Sequence, residues 1–181
     1  RLLSLMGKSK LLYLTRAILL LPGLLTAQVE TGEVIDLPGR SFKYSTTTSA
    51  SKSTIWRLWT DVENWKKFDT LLEYSSLNEG IGFAEGAVGY LKAEGAPRTR
   101  FEIREVNEAE SFLVQLKLPL YQVIDQRRYF EMNNTGGTTF THEVSFRGGL
   151  SPIVYFLLRR IYKRETQSVV ERLKLVAEAE N

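Results

Sequence analysis

The sequence contains no cysteine and a single histidine, His142, among its 181 residues. Without cysteine, disulfide frameworks, thiolate zinc sites and thiol catalysis are excluded. One histidine also excludes metal centres built from several histidines. No Asp-rich calcium loop, nucleophile elbow, P-loop or dinucleotide fingerprint occurs. A magnesium or calcium site made only of carboxylates stays possible, but the sequence predicts no metal site and no cofactor.

Acidic residues are absent from the first 27 positions, and this asymmetry accounts for the basic character of the chain. The formal net charge is +3. Four of the 24 basic residues lie in that leader, which leaves 20 basic against 21 acidic residues elsewhere. A nucleic-acid partner is not expected, because phosphate binding needs a sustained basic surface on the folded body.

The leader itself resembles a targeting segment. Lys8 and Lys10 precede an apolar stretch from Leu11 to Leu25, and Leu25-Thr26-Ala27 could be a cleavage site. This layout predicts a secretory signal peptide over residues 1–27, and hence a periplasmic or secreted protein. The alternative is an uncleaved amphipathic leader that lies on the membrane or on the domain; without export the protein would be cytoplasmic. Residues 28–40 are interpreted as a linker or a loose first strand.

The body, residues 41–179, begins with a strand and two short helices. Ser51 can cap the first helix, in which Ile55 and Leu58 recur at helical spacing, and Asp61 can cap the second, over 62–66. Two-fold alternation between turn residues then indicates an antiparallel meander. The predicted strands are 41–48, 72–78, 87–93, 99–106, 112–118, 123–132 and 138–147.

A long helix is predicted at the end of the chain. Ser151-Pro152 is typical of a helix start, and an apolar stripe continues to about Glu178. One helix cannot cover both faces of a seven-stranded sheet, so the sheet must curl around it. The predicted fold is α+β: a curved antiparallel sheet that grips the C-terminal helix.

Three segments resemble the helix-grip superfamily, also called SRPBCC, which includes START lipid-transfer domains, birch-pollen-allergen-like proteins and polyketide cyclase/dehydrase-like proteins. The segment Ile55–Phe68 is similar to the family's order of aliphatic-Trp, Asp and an aromatic pair, although Lys66 stands where the family often has proline. Gly136–Thr139 opens the last strand, and Leu173–Glu178 ends a helix rich in Leu and Arg. The resemblance covers 42–178. It implies a pocket between sheet and helix that takes an apolar or amphipathic small molecule, and it does not imply catalysis.

The register of the last hairpin places polar side chains within this apolar setting. If the hairpin centres on Thr135, Arg128 faces His142 and Phe130 faces Phe140 on the inner face. Arg128 could then hold a ligand carboxylate or phenolate, with His142 as a weak candidate for a catalytic base. The alternative is structural, with His142 bonded to a neighbouring strand and Arg128 paired with a carboxylate such as Glu165.

Aromatic and aliphatic residues supply the rest of the predicted pocket. Trp56 and Trp59 are expected in the core, whereas Trp65 and Phe68 are equally compatible with the core and with a ligand wall. The complete predicted ligand-binding set is Trp65, Phe68, Tyr90, Phe101, Val114, Leu116, Arg128, Phe130, Phe140, His142, Val144, Leu157, Leu158 and Ile161.

Three functions follow as hypotheses. The first is a binding or transport protein for a hydrophobic or amphipathic small molecule. The second is a cyclase- or dehydratase-like enzyme that uses His142 and Arg128. The third is an interaction protein with a collapsed cavity. The basic run Arg159-Arg160 to Lys163-Arg164 is either a solvated face or a weak contact with anionic lipid headgroups.

Overall fold

All seven predicted strands are present in the computed structural model, which describes residues 32–132 and 136–180. The strands are β1 (Ile35–Leu37), β2 (Ser41–Thr48), β3 (Leu72–Leu77), β4 (Val88–Ala93), β5 (Thr99–Asn107), β6 (Ser111–Leu118), β7 (Gln122–Glu131) and β8 (Thr138–Arg147). The helices are α1 (Lys52–Thr60), a 3₁₀ helix (Val62–Lys67) and α2 (Ser151–Ala179). The predicted leader, residues 1–27, and the hairpin centre Thr135 lie outside the described residues.

The sheet is a single antiparallel layer in the order β1-β2-β8-β7-β6-β5-β4-β3, curved around α2 as predicted. It has eight strands rather than seven. The additional strand, β1, lies in the segment interpreted as a linker or a loose first strand, and it pairs with the start of β2. Gly39 and Arg40 have φ values of 78° and 66° in the intervening turn. Three residues beside Pro38-Gly39 carry too little alternation to be distinguished from a loop.

The helix starts agree with the sequence in part. Ser51 caps α1, since its hydroxyl accepts the Thr54 N–H at 3.1 Å. Asp61 precedes the 3₁₀ helix without capping it, because its carboxylate accepts instead from the Asn64 amide. Ser151, predicted as the cap of α2, is the first helical residue, and its buried hydroxyl has no hydrogen-bond partner within the described structure. Asp61 thus occupies the predicted N-cap position but makes no capping hydrogen bond through its side chain. The prediction of Ser151 as a cap was wrong, because Leu150 holds that position.

Helix α2 is fixed mainly through its C-terminal half. The side chains buried there are Thr166, Val169, Val170, Leu173 and Ala177. Two hydrogen bonds to β2 hold this half: Tyr44 donates to Glu171 at 2.7 Å, and Thr48 donates to Glu178 at 2.9 Å. Truncating a buried leucine such as Leu173 to alanine would cost about 2–5 kcal/mol. The N-terminal half contacts the sheet through fewer groups, among them Tyr155 and Tyr162 against Phe146.

The inner face of the sheet is packed with aromatic rings. Phe101 is completely buried and lies against Gly89 on β4; a Cβ at Gly89 would lie 2.3 Å from its Cζ atom. Only glycine allows this close approach of strand and ring. Trp59 and Trp65 pack the helical segment onto the same face and are also buried. The core is therefore continuous from the short helices to the sheet.

Candidate functional site

Arg128 and His142 lie directly opposite each other on β7 and β8, as the register argument predicted. The neighbouring predicted pair, Phe130 with Phe140, is also present. Alternation along both strands places Arg128 and His142 on the inner face, and only 5% and 6% of their surfaces are exposed. Two adjacent strands thus bring a cation and an imidazole into the core.

Aromatic rings enclose the Arg128 guanidinium. It lies over the Trp65 ring at 4.6 Å and near the Phe112 ring at 5.6 Å, distances at which a cation is attracted to the ring faces. Phe112 is the register partner of Arg128 on β6. The Trp65 ring is fixed because its indole N–H donates to the Trp59 carbonyl oxygen at 2.8 Å. Arg128 is therefore held by packing from the 3₁₀ helix and from the neighbouring strand.

The polar atoms of Arg128 are not satisfied in the same way. Its Nε and Nη1 atoms are buried and have no hydrogen-bond partner among the described residues. The predicted alternative of an ion pair with Glu165 is not observed in the described structure. Burial lowers the pKa of Arg128 to about 10, and the negative charge of Asp69 opposes that change. The side chain therefore stays protonated at neutral pH, with unused N–H groups inside the protein.

Two further ionisable groups are coupled to this centre. Asp69 follows the 3₁₀ helix, and its carboxylate accepts the Leu71 N–H at 3.3 Å. Burial raises the pKa of Asp69, although the charge of Arg128 acts in the opposite direction. Tyr162, on α2, has its pKa raised to about 12 by burial and by the charge of Asp69. The site thus contains Arg128, an acid and a phenol from three different elements.

His142 is held as a neutral acceptor. Its Nε2 atom accepts the Trp59 indole N–H at 3.1 Å, so the ring hydrogen of the neutral form lies on Nδ1. Burial, and then the charge of Arg128, lower the pKa of His142 well below its ordinary value. The lone pair that a general base would use is therefore already engaged, and the ring is a weak base.

The other predicted site residues divide between the two faces of the sheet and the surface. Most of them are buried among the inner-face side chains: Trp65, Phe68, Phe101, Val114, Leu116, Phe140 and Val144 are buried, and Phe130 and Leu158 are partly buried. Tyr90 was placed wrongly, because it pairs with Arg100 and so faces away from Phe101. On β4 the inner position belongs to Gly89.

Leu157 and Ile161 were also placed wrongly. They are 64% and 56% exposed on α2 rather than directed to the interior. The apolar stripe was drawn too wide, because the N-terminal half of the helix keeps apolar side chains on its outer side as well.

Sequence reasoning missed Phe112, Asp69 and Tyr162. Phe112 has the same parity on β6 as Val114 and Leu116, so simple alternation would have found it. Asp69 and Tyr162 carry no such signal, because their proximity to Arg128 depends on how the 3₁₀ helix and α2 pack on the sheet.

The outer face of the sheet carries a polar groove with a different character. Its volume is about 240 Å³, and its walls include Glu105, Asp125, Arg127, Glu143 and Arg147. Arg127 pairs with Glu105, and Arg147 pairs with Asp125. Because these charges neutralise each other, the groove lacks the unsatisfied cation that distinguishes the inner site.

Metal-binding clusters and membrane-spanning helices are absent from the described ranges. No cluster of three or more potential metal-ligating side chains occurs among residues 32–132 and 136–180. Within the same ranges, no helix combines the length and the apolar character needed to span a bilayer.

Comparison with known proteins identifies the fold. No protein-family model matches the sequence, and no curated protein sequence is significantly similar to it. Solved structures do match. Protein Ms6760 from Mycobacterium smegmatis has a TM-score of 0.57 at 15% identity, covering 82% of this chain and 98% of its own. Ara h 8.0201 has a TM-score of 0.60 at 16% identity, covering 78% and 98%.

A third similar structure is the di-domain ARO/CYC StfQ from the steffimycin biosynthetic pathway. The TM-score is 0.61 at 12% identity, over 77% of this chain and 51% of the di-domain protein. At these identities the similarity establishes the helix-grip fold that the sequence resemblance implied, and the function has to be argued from the site.

Proposed function

We propose that the inner face of the sheet binds an amphipathic small molecule, without catalysis, and that Arg128 pairs with a carboxylate or phenolate oxygen of this ligand. The observation that carries the proposal is the buried guanidinium whose Nε and Nη1 have no hydrogen-bond partner within residues 32–132 and 136–180. A buried donor left unpaired costs about 1–3 kcal/mol, so a residue of this kind is retained where something else pairs with it.

Guanidinium chemistry indicates which ligand group would fit. A guanidinium donates charge-assisted hydrogen bonds to acidic oxygens, and Arg128 has buried N–H donors at Nε and Nη1 that no described residue accepts. The rings of Trp65 and Phe112 cover the guanidinium and exclude water, which strengthens such a contact. The remaining inner-face side chains are largely apolar, so the rest of the ligand is expected to be apolar or aromatic.

The fold supports the class of function. Helix-grip proteins commonly enclose small molecules between sheet and helix, and one structural neighbour is an ARO/CYC of a biosynthetic pathway. The alternative function, a cyclase or dehydratase, needs His142 as a base. Its Nε2 lone pair accepts from Trp59, and the low pKa of the ring makes it a poor proton acceptor. Binding without catalysis is therefore the function that the geometry favours.

The test uses two fluorescent probes that differ in one group. 1-Anilinonaphthalene-8-sulfonate carries an anionic sulfonate, and N-phenyl-1-naphthylamine is its uncharged counterpart. Trp59 and Trp65 lie at the site, so binding is measured as energy transfer from tryptophan to probe. Replacing Arg128 by Met should weaken binding of the sulfonate about 10- to 100-fold, the equivalent of one charge-assisted contact of 1.5–3 kcal/mol. Binding of the uncharged probe should be unchanged.

The proposal fails if neither probe receives energy from tryptophan, or if Arg128→Met weakens both probes equally. Native mass spectrometry of protein purified from its own host then identifies the natural ligand. We expect a single bound molecule with an acidic oxygen in the wild type and none in Arg128→Met.

A further inference from the structure

The turn between β6 and β7 exposes two large side chains in an unfavourable backbone conformation. Leu120 and Tyr121 are 72% and 96% exposed, with φ values of 58° and 56°. The Gln122 N–H closes the turn by donating to the Pro119 carbonyl oxygen at 3.3 Å. Two consecutive left-handed residues are typical of a type I′ turn, which favours Asn-Gly. Leucine and tyrosine are costly there for the backbone and unfavourable in water, which indicates a role for their side chains.

This turn lies beside the start of α2. The Gln122 side chain donates to the Leu120 carbonyl oxygen at 2.8 Å. Gly148, just before α2, lies against the same side chain, since a Cβ there would be 2.7 Å from the Gln122 Oε1 atom. The turn and the first turn of the helix therefore share one end of the sheet.

The N-terminal half of α2 presents more apolar side chains to solvent. Ile153, Phe156, Leu157 and Ile161 are each more than half exposed. Their spacing of three and four residues places them along one side of the helix. We group them with Leu120 and Tyr121, which lie at the same end of the sheet, as the turn–helix surface. An apolar surface of this kind marks a contact with a protein or a membrane.

The charges that this half of α2 contributes beside the surface have one sign. Residues 148–164 contain four basic residues and no acidic one. Lys163 pairs with Asp36, whereas Arg160 and Arg164 are exposed and have no ion-pair partner in the part of the chain that the structure describes. An apolar helix side flanked by free arginines is typical of a helix that lies in the interface of an anionic bilayer.

We propose that the turn–helix surface docks on anionic phospholipid bilayers, with Leu120, Tyr121 and the exposed apolar side chains of α2 entering the interface. Charge distinguishes this partner from two others. A second copy would bring Arg160 and Arg164 against the same cations. The leader, residues 1–27, is also basic and free of acids, so it would repel these arginines too. Only an anionic surface complements both the basic leader and the arginines of α2.

The absence of cysteine allows a local test in the full chain. Single cysteines at Tyr121 and Leu157, each labelled with the environment-sensitive dye NBD, report on the turn–helix surface. Labels at Met132 and Leu175, which are exposed outside this surface, are the controls. With vesicles of equal parts phosphatidylcholine and phosphatidylglycerol, we expect blue shifts at positions 121 and 157 and none at 132 and 175. Vesicles of phosphatidylcholine alone should give much smaller shifts.

Substitutions give the second measurement, vesicle co-sedimentation. Arg160→Gln with Arg164→Gln should weaken partitioning roughly 30-fold, at about fivefold per basic side chain. Arg172→Gln with Lys174→Gln removes the same charge from the other half of α2 and should have little effect. Leu120→Asn with Tyr121→Gly should weaken partitioning and leave thermal stability unchanged or higher, because Asn-Gly suits the turn. General misfolding would lower both quantities.

Several outcomes overturn the proposal. One is co-sedimentation without a shift at 121 or 157, which would mean that the leader alone binds. A blue-shifted label at 121 or 157 before vesicles are added would mean that another part of the protein already covers the surface. That cover would be a second copy if the shift depends on protein concentration, and the leader if it does not. Equal shifts at 132 and 175 would show non-specific adsorption. None of these outcomes bears on Arg128, whose probe binding is measured without lipid.

Discussion

Replacing Arg128 by Met should stabilise the ligand-free protein. Burial lowers the pKa of this base to about 10 in the folded chain. The unfolded chain therefore binds the proton more tightly, and the charge opposes folding at every pH below about 10. Each unit by which folding lowers the pKa costs 1.36 kcal/mol, so the charge opposes folding by about 3 kcal/mol at neutral pH. Methionine removes this penalty and adds apolar burial, but it loses the attraction to the Trp65 ring, about 0.5–2 kcal/mol.

The expected net gain is about 1–3 kcal/mol, comparable to replacements of other buried charges by apolar side chains. For a domain of this size the melting temperature would rise by roughly 2–4 °C per kcal/mol. Urea denaturation followed by tryptophan fluorescence measures the free energy of unfolding directly. Arg127→Met is the matched control, because Arg127 lies on the outer face in an exposed pair with Glu105 and should change stability by no more than about 1 kcal/mol.

A loss of stability above 1 kcal/mol in Arg128→Met would refute the reasoning. It would mean that the guanidinium already has hydrogen-bond partners within the protein, so that no ligand oxygen would be needed to pair with it. A gain in stability together with lost binding of the sulfonate probe would show that this side chain is kept for binding and not for folding.

Three further predictions concern the core. Because His142 is the only histidine, its imidazole can be followed by NMR without assignment, and since burial lowers its pKa we expect the folded form to stay neutral at pH values where an exposed histidine is protonated. Since that pKa is depressed, stability should fall as pH drops below about 6.5, by up to 1.4 kcal/mol per unit, and His142→Gln should abolish this slope in denaturation at several pH values. Trp59→Phe should cost about 1–3 kcal/mol in urea denaturation by leaving Nε2 unpaired. Gly89→Ala should destabilise by about 1–3 kcal/mol through its clash with Phe101, whereas Gly82→Ala, with open space around it, should leave the melting temperature nearly unchanged.

Much of the fold could be predicted because it depends on local patterns. Alternation identified seven strands with ends within two residues of those observed, and the register of the last hairpin followed from counting. The pairing of Arg128 with His142 needed only that register. The two short helices and the long one followed from residue types that are typical of helix starts and from the spacing of apolar side chains.

The rest depends on packing that a one-dimensional pattern does not contain. Tyr90 shares the alternation of a core strand, but the pairing of β4 with β5 gives the inner position to Gly89. Leu157 and Ile161 are apolar and helical, yet the sheet reaches only one side of α2 there. Asp69 influences the charge of Arg128 although the two residues lie in distant parts of the sequence. Sequence thus predicted which residues share a strand face, and not which helix side the sheet covers.

The pairing of β2 with β8 has a consequence for how the chain acquires its structure. Thr48 pairs with Thr138, and Ser41 pairs with Ser145, so about 90 to 100 residues separate the partners. Such distant contacts form slowly, because a large loop must close before they stabilise anything. At 5–20 residues per second, β8 is made roughly 5–20 s after β2. During that interval Phe42 and Tyr44, which are fully buried in the finished protein, lack their partner strand β8, and the nascent chain is most vulnerable to aggregation and proteolysis.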